Sequence, residues 1–243
     1  MAEIVSRNPE LSLVLPVFNG EKTIAVCLQG WIEALAGLDY EIIIIDDGSS
    51  DATPEILSAR AAGGRGERFR VFRQPNSGHG PAVRKGYDSA RGEWVFQADS
   101  DDEIEPRHFA ELWKLRGEAE LVLAEREGRV QGFFRRLVTA LEKAMTGALS
   151  PKALADPNVP FRLVRRARLR EFCAAVRPDE FAPNLLMSVW ALLRGWRVKV
   201  IKLPHNPAHQ SPRTLTGLRL IKGCFAAAGG ILRVLFRRKK EVQ

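Results

Sequence analysis

The sequence predicts an α/β fold: a mostly parallel central sheet flanked by helices, with an amphipathic helix at the C-terminus. Two observations carry this expectation. In the first half, short apolar runs alternate with stretches whose apolar residues recur at helical spacing, the pattern of parallel strands covered on both faces by helices. Four of those runs also end in loops rich in turn-forming and polar residues. In a parallel sheet the ligand crevice lies beyond the carboxyl ends of the strands, so all four loops fall at one edge.

In chain order, strands are expected at 11–15, 41–45, 69–73 and 94–98, with helices between them at 22–36, 52–62 and 80–90. Glycines at 63, 64 and 66 end the second helix before the third strand. The second half is less regular. A strand is expected at 120–124, and a helix with interspersed Arg135, Arg136 and Lys143 at 131–149. After the turn-rich 150–160 come a short strand at 161–164, a helix at 184–194, a strand at 197–203 and a final helix at 215–236 running into RRKK. With no repeat and no linker, the 243 residues read as one domain, 1–243. It divides into a ligand-binding half (about 1–115), a second half (about 116–214) and a basic amphipathic tail (215–243).

The net charge of +8 is uneven: carboxylates concentrate in the first 120 residues, whereas arginines crowd 162–170 and the tail. Phosphorylated substrates, anionic lipid and nucleic acid all attract such charge. Nucleic acid ranks last, and none is expected as partner, because aromatics are not interleaved with the basic runs as in a base-stacking surface. No stretch reaches the ~18–20 apolar residues of a spanning helix. Residues 1–10 do not read as a signal peptide. Cys27, Cys173 and Cys224 fit neither a disulfide framework nor a zinc site, which points to a reducing, cytoplasmic setting.

The chemistry lies in the loops. LPVFNGE places Pro16 at a strand exit, Asn19 in a turn and Glu21 where it accepts from a ribose hydroxyl or caps the next helix. In IIIIDDGSSD, four isoleucines make a buried strand from whose end Asp46 and Asp47 emerge together, able to accept from a base edge or ribose. Gly48 permits close backbone approach, and Ser50 and Asp51 suit a helix N-cap. NSGHGPAVRKG (76–86) is a loop–helix junction, either a loose phosphate cradle or a tight packing turn, with His79 read as a helix-start residue. In WVFQADSDD an apolar strand empties into Asp99, Ser100 and Asp101. Such a pair of hard oxygen donors suits Mg²⁺ or Mn²⁺ shared with substrate phosphates. Glu103 is placed as a further ligand, direct or indirect.

Taken in order, PVFNGE, DDGSSD, NSGHGPAVRKG and ARGEWVFQADSDD resemble the family-2 nucleotide-sugar glycosyltransferases of GT-A fold, over roughly the first 110 residues. The resemblance implies an inverting, metal-dependent transferase for a nucleoside-diphosphate sugar. By it Pro16, Glu21 and Asp47 would hold the nucleoside, with Asn19, Asp46, Gly78 and Ser100 on the same donor side and Lys85 near the site. Asp99 and Asp101 would hold metal and diphosphate.

The second half bears on the acceptor. A sugar hydroxyl needs a general base, and in many family members an acid stands eleven residues before a glycine. Counting back from Gly195 reaches Asn184, an amide, which by its place is a substrate-binding candidate. Either Asp179 or Glu180 substitutes as base, or the acceptor is a phosphate that needs none. DPNVPFRLVRR (156–166) resembles a segment of the polyprenyl-phosphate glycosyltransferases, which implies that Arg162 faces the metal site and contacts a phosphate. LPHNPAHQSPRTLTG (203–217) resembles the segment in which a family histidine joins the metal shell or diphosphate. His205 and His209 compete for that place, and His209 is favoured by Arg213 downstream, itself a substrate-binding candidate. The helices at 131–149 and 215–236 are either core helices or, with their basic residues, a peripheral attachment to an anionic membrane surface. The expectation is transfer of a hexose to polyprenyl phosphate or another lipid acceptor at the inner face of the membrane. A hydroxyl acceptor is the alternative.

Overall fold

The computed structural model describes residues 8–62, 68–127, 154–206 and 218–241, the last with side chains at 223 and 225–235. Seven strands form one sheet in the order β3-β2-β1-β4-β6-β5-β7. They are β1 (Leu11–Val17), β2 (Tyr40–Asp46), β3 (Phe69–Arg73), β4 (Trp94–Gln97), β5 (Leu121–Glu127), β6 (Arg162–Arg165) and β7 (Val198–Pro204). β1 pairs in parallel with β2 and β4, and β2 with β3, so the ends of all four open at one edge. β6 runs against both neighbours, setting Gln97 opposite Arg162, while β5 and β7 are parallel. The mostly parallel sheet is therefore as expected, with β6 as the one reversed strand of the described residues.

The helices are α1 (Ile24–Ala34), α2 (Thr53–Ala62), α3 (His79–Ser89), α4 (Phe109–Lys114), α5 (Arg166–Ala175), α6 (Pro183–Leu193) and α7 (Leu218–Glu241). Because helices cover both faces, β1 and β2 are buried at every position, the signature of a parallel-sheet interior. Gly86 lets α3 settle on β1: a Cβ there would stand 2.2 Å from Val14 Cγ1. Next to β4, Trp31, Phe96, Phe109 and Phe161 interlock with ring centroids 4.7–6.1 Å apart.

Two elements differ from expectation. α4, flanked by single turns at Pro106–His108 and Leu115–Gly117, falls where the sequence pattern predicts no helix. Its buried Phe109, Leu112 and Trp113 stand at the i, i+3, i+4 spacing that marks a helix face. The basic run at 162–170 is not one surface: it is β6 and the start of α5, and its first arginine is completely buried. The expected helix at 131–149 lies outside the described residues.

Candidate functional site

The loops after β1 and β2 are laced together by polar groups. Asn19, in the left-handed region at φ 51°, receives a bond from the Ser50 N–H on its Oδ1 (2.9 Å) and donates its own N–H to Ser49 Oγ (2.9 Å). Gly20 N–H donates to Thr53 Oγ1 (2.8 Å) and Glu21 N–H to Asp51 Oδ2 (3.1 Å). Glu21 caps a helix, though not its own: it accepts from the Ala52 N–H (3.2 Å) at the start of α2. Burial would raise the Asp51 pKa, but bonds from Thr53 and from the Glu21 amide outweigh it and hold the carboxyl below its usual value. Pro16 is the penultimate residue of β1, opposite Ile45.

Asp46 and Asp47 are both buried, and both are engaged by loops rather than open to a ligand. Asp46 accepts from the Ser49 N–H (2.9 Å) and faces Arg73 Nε at 3.4 Å. Asp47 accepts from Gln74 Nε2 (2.8 Å) and Ser77 N–H (2.9 Å) on one oxygen and from Gly78 N–H (2.8 Å) on the other. Its carboxylate thus shapes the turn before α3, where Gly78 takes φ 93°. A Cβ on Gly80, two residues later, would stand 2.2 Å from the Glu180 carbonyl oxygen, so a close backbone crossing sets this junction. Lys85 reaches back to the Arg73 carbonyl (3.4 Å). It also lines an open cleft of about 570 Å³ with Ser77, Arg84, Asp88 and Asp179.

At the end of β4, Asp99 keeps 31% of its side chain exposed. Gln97 Nε2 donates to its Oδ1 at 3.0 Å, and His79 Nε2 lies 3.7 Å from the same oxygen. The histidine read as a helix start does begin α3, yet it also faces this carboxylate, which sequence spacing gave no means of seeing. Ser100 and Asp101 follow in the half-buried turn, where Asp101 Oδ1 accepts from the Glu103 N–H (3.2 Å). Asp102 takes φ 51° and turns inward to Cys27, whose thiol is pushed up by burial and then by the Asp102 charge.

Glu103 does not take the expected place among the metal ligands. Its buried carboxylate pairs with Arg126 (2.6 Å), which also holds Asp156 through two bonds of 2.6 and 2.9 Å. Burial alone would lower the Arg126 pKa, but Asp156 and Glu103 raise it instead. A carboxylate this deeply enclosed must be neutralised, and the guanidinium does so. His205 lies nearby, just past the β7 end, its Nδ1 2.9 Å from the Glu127 carbonyl, and Asn206 N–H donates to the Glu103 carbonyl (2.8 Å). His209 and Arg213 lie outside the described residues.

Arg162 and Asn184 are the largest departures from the expected roles. Arg162 is 0% exposed and donates to the carbonyls of Val159, Pro157 and Asn184 at 2.5–3.0 Å. Burial lowers its pKa to about 10, so it stays a cation at neutral pH. It is a clamp between the 156–159 turn and α6, not a group facing an open phosphate site. Asn184, expected to touch substrate, is 3% exposed with its amide committed to protein: Oδ1 accepts from Tyr87 Oη and Nδ2 donates to Gln97 Oε1, both at 2.9 Å. Of the two alternative bases, Asp179 is exposed and forked by Arg177 (2.7 and 3.0 Å). Glu180 is buried under α7 and held by Arg233 through three bonds of 2.7–3.0 Å.

Among the described residues no three His, Cys, Asp or Glu side chains gather as a metal site. Asp99 and Asp101 nonetheless fit a hard cation. Mg²⁺ is usually held by one or two carboxylates plus substrate phosphates rather than by an all-protein cage. Both Gln97 and His79 address Oδ1 of Asp99, and its second oxygen has no partner among the described residues.

The chain has relatives of known name. The family model described as "Glycosyl transferase family 2" matches residues 12–170. The dodecaprenyl-phosphate galacturonate synthase of Rhizobium johnstonii is 29% identical over 187 residues, 74% of this chain and 55% of that protein. The undecaprenyl-phosphate 4-deoxy-4-formamido-L-arabinose transferase of Photorhabdus laumondii is 26% identical over 179 residues, 72% of this chain and 55% of that protein. The chain spans between a third and just over half the length of such curated relatives. Among solved structures, glucosyl-3-phosphoglycerate synthase of Mycobacterium tuberculosis with Mn²⁺, UDP-glucose and phosphoglyceric acid matches with a TM-score of 0.68. That match is 20% identical and covers 93% of this chain and 80% of that one.

Proposed function

The chain belongs to glycosyl transferase family 2 and has the GT-A fold, and we propose that it moves a hexose from a nucleoside-diphosphate sugar to a polyprenyl phosphate at a membrane surface, with inversion. On the donor side, Pro16, Asn19 and Glu21 form the nucleoside edge, with Asp46 and Asp47 holding the loops around it in place. The Gly78 turn, Lys85 and Ser100 flank the diphosphate. Asp99 and Asp101 hold a Mg²⁺ or Mn²⁺ ion, which neutralises charge on the departing diphosphate when bound.

The observation that carries the acceptor assignment is the state of 179–184. A hydroxyl acceptor needs a general base to take its proton, and the candidates for it stand at 179, 180 and 184. Here position 184 is a buried amide, Asp179 is forked by Arg177 and Glu180 is locked by Arg233. A phosphate is already ionised, so its oxygen attacks the anomeric carbon directly and the diphosphate leaves from the opposite face. The names of the relatives support the same class, since both are named for polyprenyl phosphates.

Membrane attachment rests on α7. Its inner face, with Ile231 and Val234, is buried against the body, while Phe225 (76% exposed) and Leu232 (52%) face outward. Arg237–Lys240 follow in sequence. Among the described residues no helix is long and apolar enough to cross a membrane, so the proposed attachment is peripheral, on the cytosolic face, to anionic lipid.

The test is incubation with a panel of labelled sugar nucleotides and Mn²⁺, offering undecaprenyl phosphate or saccharides. A lipid-linked product labile to mild acid is expected. Transfer only to saccharides, lost in Glu180→Gln, would overturn the assignment.

A further inference from the structure

Four buried or half-buried polar side chains from three elements and one loop form a single line. Tyr87 comes from α3, Asn184 from the first turn of α6, Gln97 from the last position of β4 and Asp99 from the loop beyond. The Tyr87 hydroxyl donates to Asn184 Oδ1 (2.9 Å), Asn184 Nδ2 to Gln97 Oε1 (2.9 Å), and Gln97 Nε2 to Asp99 Oδ1 (3.0 Å).

The direction of this line is fixed by chemistry. An ionised carboxylate only accepts, so Gln97 must present its NH₂ to Asp99 and therefore its oxygen to Asn184. Asn184 must then present its NH₂ to Gln97 and its oxygen to Tyr87, which must donate. Burial pushes the Tyr87 pKa well above the usual phenol range, so the hydroxyl keeps the proton it gives. Neither amide is free to flip, because a flip at either would oppose two acceptors. The backbone on both sides is pinned as well: Arg162, opposite Gln97 in the β4–β6 register, holds the Asn184 carbonyl at 2.8 Å.

We propose that Gln97 and Asn184 are positioning residues, which through this one-way line of donors fix the rotamer of Asp99 and turn its second oxygen toward the donor diphosphate and its metal. The proposal rests on the transferase reading and adds a role for position 184: an amide that serves the donor side. Outer partners of ligating carboxylates commonly govern metal affinity by ~10–100-fold.

The experiment has two independent readouts on the full chain. The first needs no ligand: ¹⁵N side-chain amide spectra of wild type and Asp99→Asn. A relay predicts that Asp99→Asn shifts the Gln97 and Asn184 amide signals. Unmoved amides overturn the proposal whatever the protein's activity. The second is titration of free Mn²⁺ by electron paramagnetic resonance, with UDP or GDP as probe. Gln97→Met and Asn184→Asp are expected to weaken Mn²⁺ binding by about tenfold and Tyr87→Phe by less than about threefold. In an Asp99→Asn background, Gln97→Met should add nothing. An undiminished tenfold loss there means that Gln97 does not act through Asp99, and the proposal falls. A role confined to folding would lower Tm in these variants but leave Mn²⁺ affinity unchanged, which also overturns it. If wild type binds neither Mn²⁺–UDP nor Mn²⁺–GDP while the amides do respond to Asp99→Asn, the transferase reading fails and the line of donors stands.

Discussion

At the scale of single residues, Asp101 and Arg162 show how differently two charged side chains can serve one site. Asp101 sits in a half-buried turn of the β4 loop, where its carboxylate accepts from the Glu103 N–H. An amide oxygen can accept the same bond. Asp101→Asn is therefore expected to keep the circular dichroism spectrum of the folded chain while turnover falls to background. Retained turnover would remove Asp101 from the metal assignment. Arg162 is the reverse case. Arg162→Met keeps the bulk but strips the Val159 carbonyl of its donor and takes one from each of the Pro157 and Asn184 carbonyls, which Ser188 Oγ also reaches; an unsatisfied buried acceptor costs about 1–3 kcal/mol. Urea unfolding should show a loss of roughly 1–3 kcal/mol. An unchanged midpoint would mean that the clamp is not needed. These two residues also show where sequence reading stops. The DxD is legible because a buried apolar strand that ends in carboxylates must aim their charge at something cationic. Arg162 is not: in a run of arginines nothing in the sequence says which one the antiparallel pairing of β4 and β6 turns inward.

At the scale of elements, legibility follows the period of the apolar pattern. β1 and β2 are apolar over most of their length, and their expected bounds fall within two residues of the observed ones, as do those of α1, α2 and α3. α4 is only six residues long and its pattern is diluted by Glu111 and Lys114, so its period is too short to stand out. Pairings between distant elements leave no trace in the sequence. The lock of Glu180 by Arg233, the Glu103–Arg126–Asp156 triad and the Gln97–Asn184 bond join residues 23 to 87 positions apart. One further pairing of this kind carries a pH signature. Glu120, just before β5, accepts from the Arg197 N–H (3.0 Å) and from Arg168 (2.6 and 2.8 Å). Burial would raise its pKa, but the Arg197 amide and Arg168 outweigh it and lower it. A carboxyl lowered on folding adds stability above its unfolded pKa, near 4.3, and that stability disappears as pH falls through the folded value. Arg168 is 40% exposed, so solvent screening limits the contribution to about 1 kcal/mol. Glu120→Gln should lower Tm at pH 7, with the gap to wild type closing below about pH 4. A gap that persists at pH 3 would contradict this.

At the scale of the whole molecule, the loops after β1–β4 gather at one edge of the sheet, and α7 closes over the 180–186 segment on the other half. Gly223 and Gly230 permit that approach: a Cβ would stand 2.6 Å from Phe181 at the first and 2.9 Å from Glu180 Oε2 at the second. The outward Phe225 and Leu232 are exposed rather than packed. The double substitution Phe225→Asp, Leu232→Asp should leave stability within about 1 kcal/mol of wild type. It should also abolish sedimentation with phosphatidylglycerol vesicles, while wild-type binding weakens as salt rises. Equal sedimentation of the double variant would remove α7 as the contact. The Arg233–Glu180 lock gives this arrangement a further meaning. It fastens a helix of 24 residues, about 36 Å long, to the segment that leads into α6 and so to Asn184. Under the proposed attachment, a surface that the outer face of α7 rests on is then held at a set height relative to Asp99. In the proposed reaction the lock works as a gauge of altitude: a lipid phosphate anchored in that surface would have only the length of its headgroup with which to meet the donor sugar.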